Sequence, residues 1–232
     1  MIAELHCHSR TTRLPYFKKF YDSVMSVEEI MERCIELGIE ILAITDHDSL
    51  EGYRRAKKII GDKKLPIVLV PACEISSKDG HILAYGILRE IPAKLSAKET
   101  IELIHQQGGL AIAAHPFNKF GSSLNSKIKK LDLDAMESYC VAQTKLATRK
   151  AVRLAKKLNM ISITGSDAHA LMYLGKGKMV FGEGIKSWQE IIEKIRVGDF
   201  EMSIDRKKSL VSFTREYVKK NMLIRKLERS WR

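Results

Sequence analysis

His6 and His8 stand one residue apart in the stretch ELHCHS (4–9). In an extended strand alternate side chains share a face, so both imidazoles point one way and Cys7 the other. Two imidazoles about 7 Å apart along a strand and free to converge form a ready chelate for a divalent metal. An H-x-H pair by itself is a weak signal, but the same chemistry recurs down the chain. IEILAITDHD closes an apolar run with Asp46, His47 and Asp48, and LVPACEIS closes another around Glu74. HILAYG opens on His81, LAIAAHPF ends on His115, and ISITGSDAH ends on Asp167 and His169. Carboxylates in runs this apolar need a cation. His105, mid-helix before QQGG, is read as structural, Asp48 as a helix cap with Glu51, and Asp46 as a group that orients a ligand from behind.

These side chains can meet only if the elements carrying them bring their ends to one rim. Short apolar runs (IAEL, IEILAIT, PIVLVPA, HILAYGI, LAIAA, LDAMESY, ISITG) alternate with amphipathic stretches at 26–37, 49–60, 96–107, 142–158 and 187–197. Such alternation predicts a parallel α/β architecture. Ser26-x-x-Glu29, Ser96-x-x-Glu99 and Ser187-x-x-Glu190 fit the capping box, which marks helix starts. About seven strand-plus-helix units suit a barrel, whose active sites lie at the carboxyl rim of the strands.

Composition sets outer bounds. With 232 residues, 45% hydrophobic and 29% charged, the chain reads as one globular domain with a sizeable core. Its apolar runs are too short for a membrane helix, and the chemistry begins too early to leave room for a signal peptide, so a cytoplasmic protein is expected. Cys7, Cys34, Cys73 and Cys140 form no CxxC pair and are read as reduced thiols. The net charge of +12 favours anionic partners. Residues 201–232 hold ten Lys or Arg against four acids, with apolar residues at roughly helical spacing. That segment reads as a basic amphipathic helix, either packed on the domain or contacting nucleic acid.

The motif order H-x-H-S, T-D-H, E, H-x-L-x-Y-G, A-H-P, G-S-D-A-H resembles the polymerase and histidinol phosphatase (PHP) family of metal-dependent phosphoesterases, over about residues 2–200. The resemblance implies a distorted seven-stranded (β/α) barrel, TIM-like, over 1–200, with the basic tail 201–232 appended. It also implies two to three divalent ions (Mn, Zn or Fe). His6, His8, Glu74 and Asp167 would hold one; Glu74 would bridge to a second on His81 and His115. His47, His169 and an aspartate after H-x-H would hold the third. In the family that aspartate follows in a short loop; here RTTRLPYFKKFY (10–21) intervenes, and the frame D-S-V-M-S-V-E-E-I assigns Asp22, the alternative being an exposed loop aspartate. Glu74, Asp167, His169 and His47 are the residues expected to carry catalysis.

Substrate contacts are expected from Arg10, Arg13, Lys18 and Lys19 in the insert, whose aromatics could stack on bases or simply pack a lid. Asn118 and Lys119 replace an arginine that nucleotide-acting relatives often carry after A-H-P, and Lys176 lies in a candidate phosphate loop, LGKGK (174–178). Cys140 borders the site as a thiolate ligand or, preferably, a buried neutral thiol. Ions sharing Glu74 would acidify a bridging water and neutralise transition-state charge. The preferred reading is a phosphoesterase acting on nucleotides or nucleic-acid ends. A small-metabolite phosphatase such as histidinol phosphatase, an amidohydrolase, and a metal-stiffened binding protein are the alternatives. The sequence does not choose the oligomeric state.

Overall fold

The computed structural model describes residues 1–12, 20–118, 122–205, 220–222 and 224. Along the chain run β1 (Ile2–Cys7), α1 (Val27–Glu36), β2 (Ile39–Ile44), α2 (Glu51–Lys63), β3 (Val68–Leu69), β4 (Ala72–Ser76) and β5 (His81–Tyr85). Then follow α3 (Ala97–His105), β6 (Leu110–Ala113), β7 (Ala135–Cys140), α4 (Lys145–Leu158), β8 (Ile161–Gly165), β9 (Gly177–Val180), α5 (Trp188–Val197) and β10 (Glu201–Ile204). The helices begin where the sequence marks them. Ser26 and Ser96 form reciprocal capping boxes with Glu29 and Glu99, while Ser187 accepts from the Glu190 amide without the return bond to its own backbone.

The strands form two five-stranded sheets, ordered β10-β9-β1-β2-β3 and β4-β5-β6-β7-β8. This corrects the expected closed barrel of parallel strands. β5 runs antiparallel to both β4 and β6, and β9 to both β1 and β10. The antiparallel β4–β5 pair needs only residues 77–80 between its strands, where a parallel pair would need a crossover helix. At the two seams, isolated bridges join Cys7 to Ala168 and His47 to Glu74. The ladder fails beside β2 because β3 has only two residues, and Pro71 between β3 and β4 brings no N–H. Beside β1, the position a barrel would give β8 is taken by β9.

Three apolar clusters hold the layers. One lies between the sheets, built from Leu5, Ile41, Leu83, Tyr85, Ile112 and Ile163, with Ile191, Ile192 and Ile195 of α5 against it. A second packs α3 and α4 on the β4–β8 sheet, and a third packs α1 and α2 on the β1–β3 side. Each fully buried Leu or Ile here contributes roughly 1.5–3 kcal/mol of transfer free energy. No helix among the described residues is long and apolar enough to cross a membrane.

Residues 201–204 remain in the fold as β10, paired with β9. The rest of the expected tail helix lies outside the described residues except for 220–222 and 224. Asn221 is buried, and its amide accepts from the Tyr21 N–H at 3.0 Å and donates to the Tyr21 carbonyl at 3.4 Å.

The β8–β9 seam depends on a close backbone approach, since a Cβ on Gly177 would sit 2.4 Å from the Gly165 carbonyl oxygen. Gly177→Ala therefore costs about 1–3 kcal/mol and lowers Tm by roughly 3–10 °C in a thermal melt. Gly182→Ala, with nothing within 4 Å of the new carbon, leaves Tm unchanged.

Candidate metal centre

The rim of both sheets gathers every histidine and carboxylate that the sequence assigns to metal. His6 is the penultimate residue of β1 and His8 lies just past the strand, their Nε2 atoms 3.3 Å apart, while Cys7 faces the outer cluster under α1. His47 follows β2, His115 follows β6, and Asp167 and His169 follow β8. His81 opens β5 rather than closing a strand. It reaches the same rim because β5 runs antiparallel to β4, pairing His81 with Ser76. His115 (φ 25°) and Asp167 (φ 49°) adopt left-handed backbone that side chains seldom occupy, a strain of about 1–3 kcal/mol each.

Glu74 stands at the centre, 1% exposed. Its Oε2 lies 3.4 Å from His6 Nε2, 3.2 Å from His8 Nε2 and 3.7 Å from His47 Nδ1. Its Oε1 lies 3.0 Å from His81 Nδ1 and 2.9 Å from His115 Nε2. Asp167 Oδ1 approaches His6 and His8 Nε2 at 3.5 and 3.3 Å. Asp22 Oδ2 lies 3.2 Å from His169 Nε2, 3.5 Å from His8 Nδ1 and 4.0 Å from His47 Nε2. Three groups could each hold an ion: His6, His8, Glu74 and Asp167; His8, Asp22 and His169; His47, Glu74 and His81. His47 thus stands between the Glu74 and Asp22 groups.

The donor set fits divalent metal. Imidazole and carboxylate together suit Mn, Zn or Fe. His8 Nδ1, His47 Nδ1, His115 Nδ1 and Asp22 Oδ2 are buried with no hydrogen-bond partner, a condition proteins rarely tolerate without an ion or water. Burial works against charge on every group here, yet mutual attraction wins for most. Burial pushes the His8 imidazolium down, but bonds to Asp167 and Glu74, with Asp22 nearby, raise it to about 10. Burial likewise opposes the Glu74 and Asp167 carboxylates, and the surrounding imidazoles hold both well below the usual range. His47 is the exception, lowered by burial.

Behind the ligands lies a layer that the sequence reading missed. Glu137 of β7, fully buried, takes His6 Nδ1 at 2.7 Å and the His115 amide at 2.8 Å. Glu4 of β1 accepts from the His6 and Gly175 amides and from the Ser166 hydroxyl. Burial raises the Glu4 carboxyl to about 7. The signal that exposed Glu74, an acid within an apolar strand, was present in LDAMESYC and IAELHC as well.

Other assignments change. Asp46 touches no ligand ring; it accepts from the Ser9 amide and from the Ser9 and Thr11 hydroxyls, each at 2.6 Å, fixing the chain just after His8. Asp48 does not cap α2, whose N-cap is Leu50; it accepts from the Ser76 amide at 2.7 Å and ties down the end of β4. Its backbone is left-handed, with φ 55°. His105 is structural, bonded to Asp134 at 2.9 Å. Cys140 is a buried neutral thiol, pushed well above the usual range by burial and nearby carboxylates.

Of the expected substrate residues, Arg10 donates its amide to the Met25 carbonyl at 2.6 Å, and Asn118 sits in the turn after His115, its amide on the His115 carbonyl at 3.0 Å. The Lys176 ammonium pairs with Asp205, and the amides of Gly175, Lys176 and Gly177 donate to Glu4 and Ser166. Arg13, Lys18, Lys19 and Lys119 lie outside the described residues.

Two outcomes follow. Glu137→Gln weakens metal affinity about 10–100-fold in chelator competition, because Glu137 accepts with both oxygens and glutamine has only one, so either His6 Nδ1 or the His115 amide is left facing an NH2 donor. Metal loading at neutral pH releases at least one proton per chain, measured by calorimetry in buffers of different ionisation heat, since His8 must shed its proton to bind. His8 is raised from 6.5, so its stabilisation of metal-free protein is complete below that pH and lost as pH rises through about 10, while metal affinity climbs.

The same geometry has relatives among known proteins. A family model described as PHP domain matches residues 4–139, and one described as PHP-associated matches residues 145–200. An uncharacterized protein of Methanocaldococcus jannaschii is 38% identical over 141 residues, 60% of this chain and 81% of that protein. A 5′-3′ exoribonuclease of Haemophilus influenzae is 28% identical over 195 residues, 81% of this chain and 61% of that protein. A crystal structure of a two-domain Bacteroides vulgatus protein containing a predicted PHP-like metal-dependent phosphoesterase superposes with a TM-score of 0.70 at 16% identity. It covers 88% of this chain and 64% of that one. The rim of imidazoles and carboxylates and the match over 4–139 together place this chain in the PHP family of metal-dependent phosphoesterases.

Proposed function

We propose that this phosphoesterase hydrolyses phosphoester bonds of nucleotides or nucleic-acid ends, with two to three divalent ions held at the rim. The observation that carries the reading is the division of Glu74: Oε2 serves His6, His8 and His47, and Oε1 serves His81 and His115. One carboxylate facing two ligand groups is what neighbouring metals require of a bridge. The H-x-H pair alone would also suit an amidohydrolase, which has no use for that bridge or for Asp167 beside His169.

Bound divalent ions supply acidified water and charge neutralisation on phosphoryl oxygens. The protein's part is placement. Asp22, His8 and His169 would hold the outer ion, and His47, between Asp22 and Glu74, couples the two halves of the centre. Arg10, Arg13, Lys18, Lys19, Asn118 and Lys119 would contact the substrate. We read residues 1–200 as the metal-holding unit and 201–232 as an appended basic segment. Asn221 braces Tyr21, whose neighbour is Asp22. The nucleic-acid side of the reading is supported by the net charge of +12 and by the exoribonuclease among the relatives.

The test is a Mn-supplemented substrate panel of mononucleotides, bisphosphates, 5′-phosphorylated oligonucleotides and histidinol phosphate. Turnover of the nucleotide group above histidinol phosphate is expected; the reverse order rejects the substrate class. Glu74→Ala should lose at least one metal by elemental analysis and drop kcat by at least about 100-fold, as removal of a key electrostatic group does.

A further inference from the structure

We infer that α4 is a docking face for the phosphate backbone of single-stranded nucleic acid leading to the metal centre, a role that rests on the nucleic-acid reading above. Its 14 residues, KLATRKAVRLAKKL, carry six cations and no acid, and no Asp or Glu occurs between Glu137 and Asp167. The buried side is Ala147, Thr148, Ala151, Leu154 and Ala155. Lys145, Arg149, Lys150, Arg153, Lys156 and Lys157 are all exposed. At 3.6 residues per turn those six fall within an arc of about 140°, on a helix about 20 Å long.

Other helices manage their charge differently. Arg33 pairs with Glu36, Arg54 with Glu51 and Glu90, Arg55 with Glu28, and Arg196 with Glu193. Among the described residues no α4 cation has such a partner, and α4 alone of the five α-helices has no acid in its first turn. Lys145, Arg149, Arg153 and Lys157 form an i, i+4 row of like charges, and Lys145 opposes the helix dipole. Both features cost helix stability without an anion, and local rules broken in this way collect at functional sites.

Position selects the occupant. α4 starts just past the carboxyl end of β7, the strand whose Glu137 holds His6 and the His115 amide. Gln143, one residue before the N-cap Thr144, donates to the Glu137 carbonyl at 3.4 Å. The basic row therefore begins at the rim of the metal centre and runs away from it, with steps of about 6 Å between cations. A strand of phosphates entering the centre meets this row lengthwise. A lipid surface fits less well, because the apolar side of α4 is spent on the sheet and leaves nothing to insert.

The experiment compares wild type with Lys145→Gln/Arg149→Gln/Arg153→Gln/Lys157→Gln, both metal-loaded. Binding of a phosphorothioate-linked single strand, which resists hydrolysis, is followed by fluorescence anisotropy across salt concentrations. Expected are weaker binding and a log K against log salt slope shallower by about 0.7 for each phosphate that α4 no longer neutralises. Hydrolysis of a generic phosphodiester and Tm should be unchanged or, for Tm, higher. Arg54→Gln/Arg55→Gln/Lys57→Gln/Lys58→Gln on α2 should leave the slope as in wild type; an equal drop there means bulk charge and overturns the inference. So do an unchanged slope in the α4 variant, or loss confined to phosphatidylserine vesicles. If no phosphoester is turned over by wild type, the enzymatic reading fails by itself, since the anisotropy measurement needs no hydrolysis.

Discussion

A carboxylate sealed from water and surrounded by imidazoles governs this molecule. Glu74 has 1% of its surface exposed and five histidine rings within 4 Å of its oxygens. In an apolar interior an isolated carboxylate would take up a proton; here the ring of nitrogens holds it ionised, and a pair of divalent ions would do so more strongly. Glu74 is also where the two sheets meet, through the His47–Glu74 bridge and the bonds from the Glu74 amide to the carbonyls of Thr45 and Asp46. Chemistry and architecture therefore share one residue. At both seams the sheets are joined by isolated bridges rather than a continuous ladder, His47–Glu74 here and Cys7–Ala168 beside Asp167 and His169.

Charge is layered around that point. Ligands occupy the rim, and behind them Glu137 and Glu4 fix the ring of His6 and the amides of His6 and His115 from strands on either side. Asp46, Ser9 and Thr11 hold the turn that follows His8. Left-handed backbone at His115 and Asp167 shows that the strand ends are bent to aim their side chains, a strain sustained by the packing beneath. Glu4, Asp22, Asp46, Glu74 and Glu137 are the buried carboxylates among the described residues.

Several distant segments converge on the third ligand group. Asp22 donates its amide to the Thr12 carbonyl, Val24 to that of His169, and Asn221 grips Tyr21 from 200 positions away. Asp22 is thereby held beside His8 and His169.

The sequence by itself marked the strands from β1 to β8, the capped helix starts and the candidate ligands, because each leaves a local mark: an apolar run, a serine three residues before a glutamate, a histidine or acid in or beside an apolar strand; it did not mark β9 and β10, since LGKGK reads as a loop and 201–232 as a helix. His6, His8, His47, Glu74, His81, His115, Asp167 and His169 were all legible in that way, and Asp22 followed from the D-S-V-M-S-V-E-E-I frame. What the tertiary structure decided was how strands pair and which side chains stand behind the ligands. Strand direction leaves no mark in a short apolar run, so the antiparallel turn of β5, the insertion of β9 beside β1 and the open seam at β3 appear only when edges compete for backbone hydrogen bonds. Glu137, Asp46 and Asn221 take their roles from partners 131, 37 and 200 residues distant, contacts that no local pattern encodes.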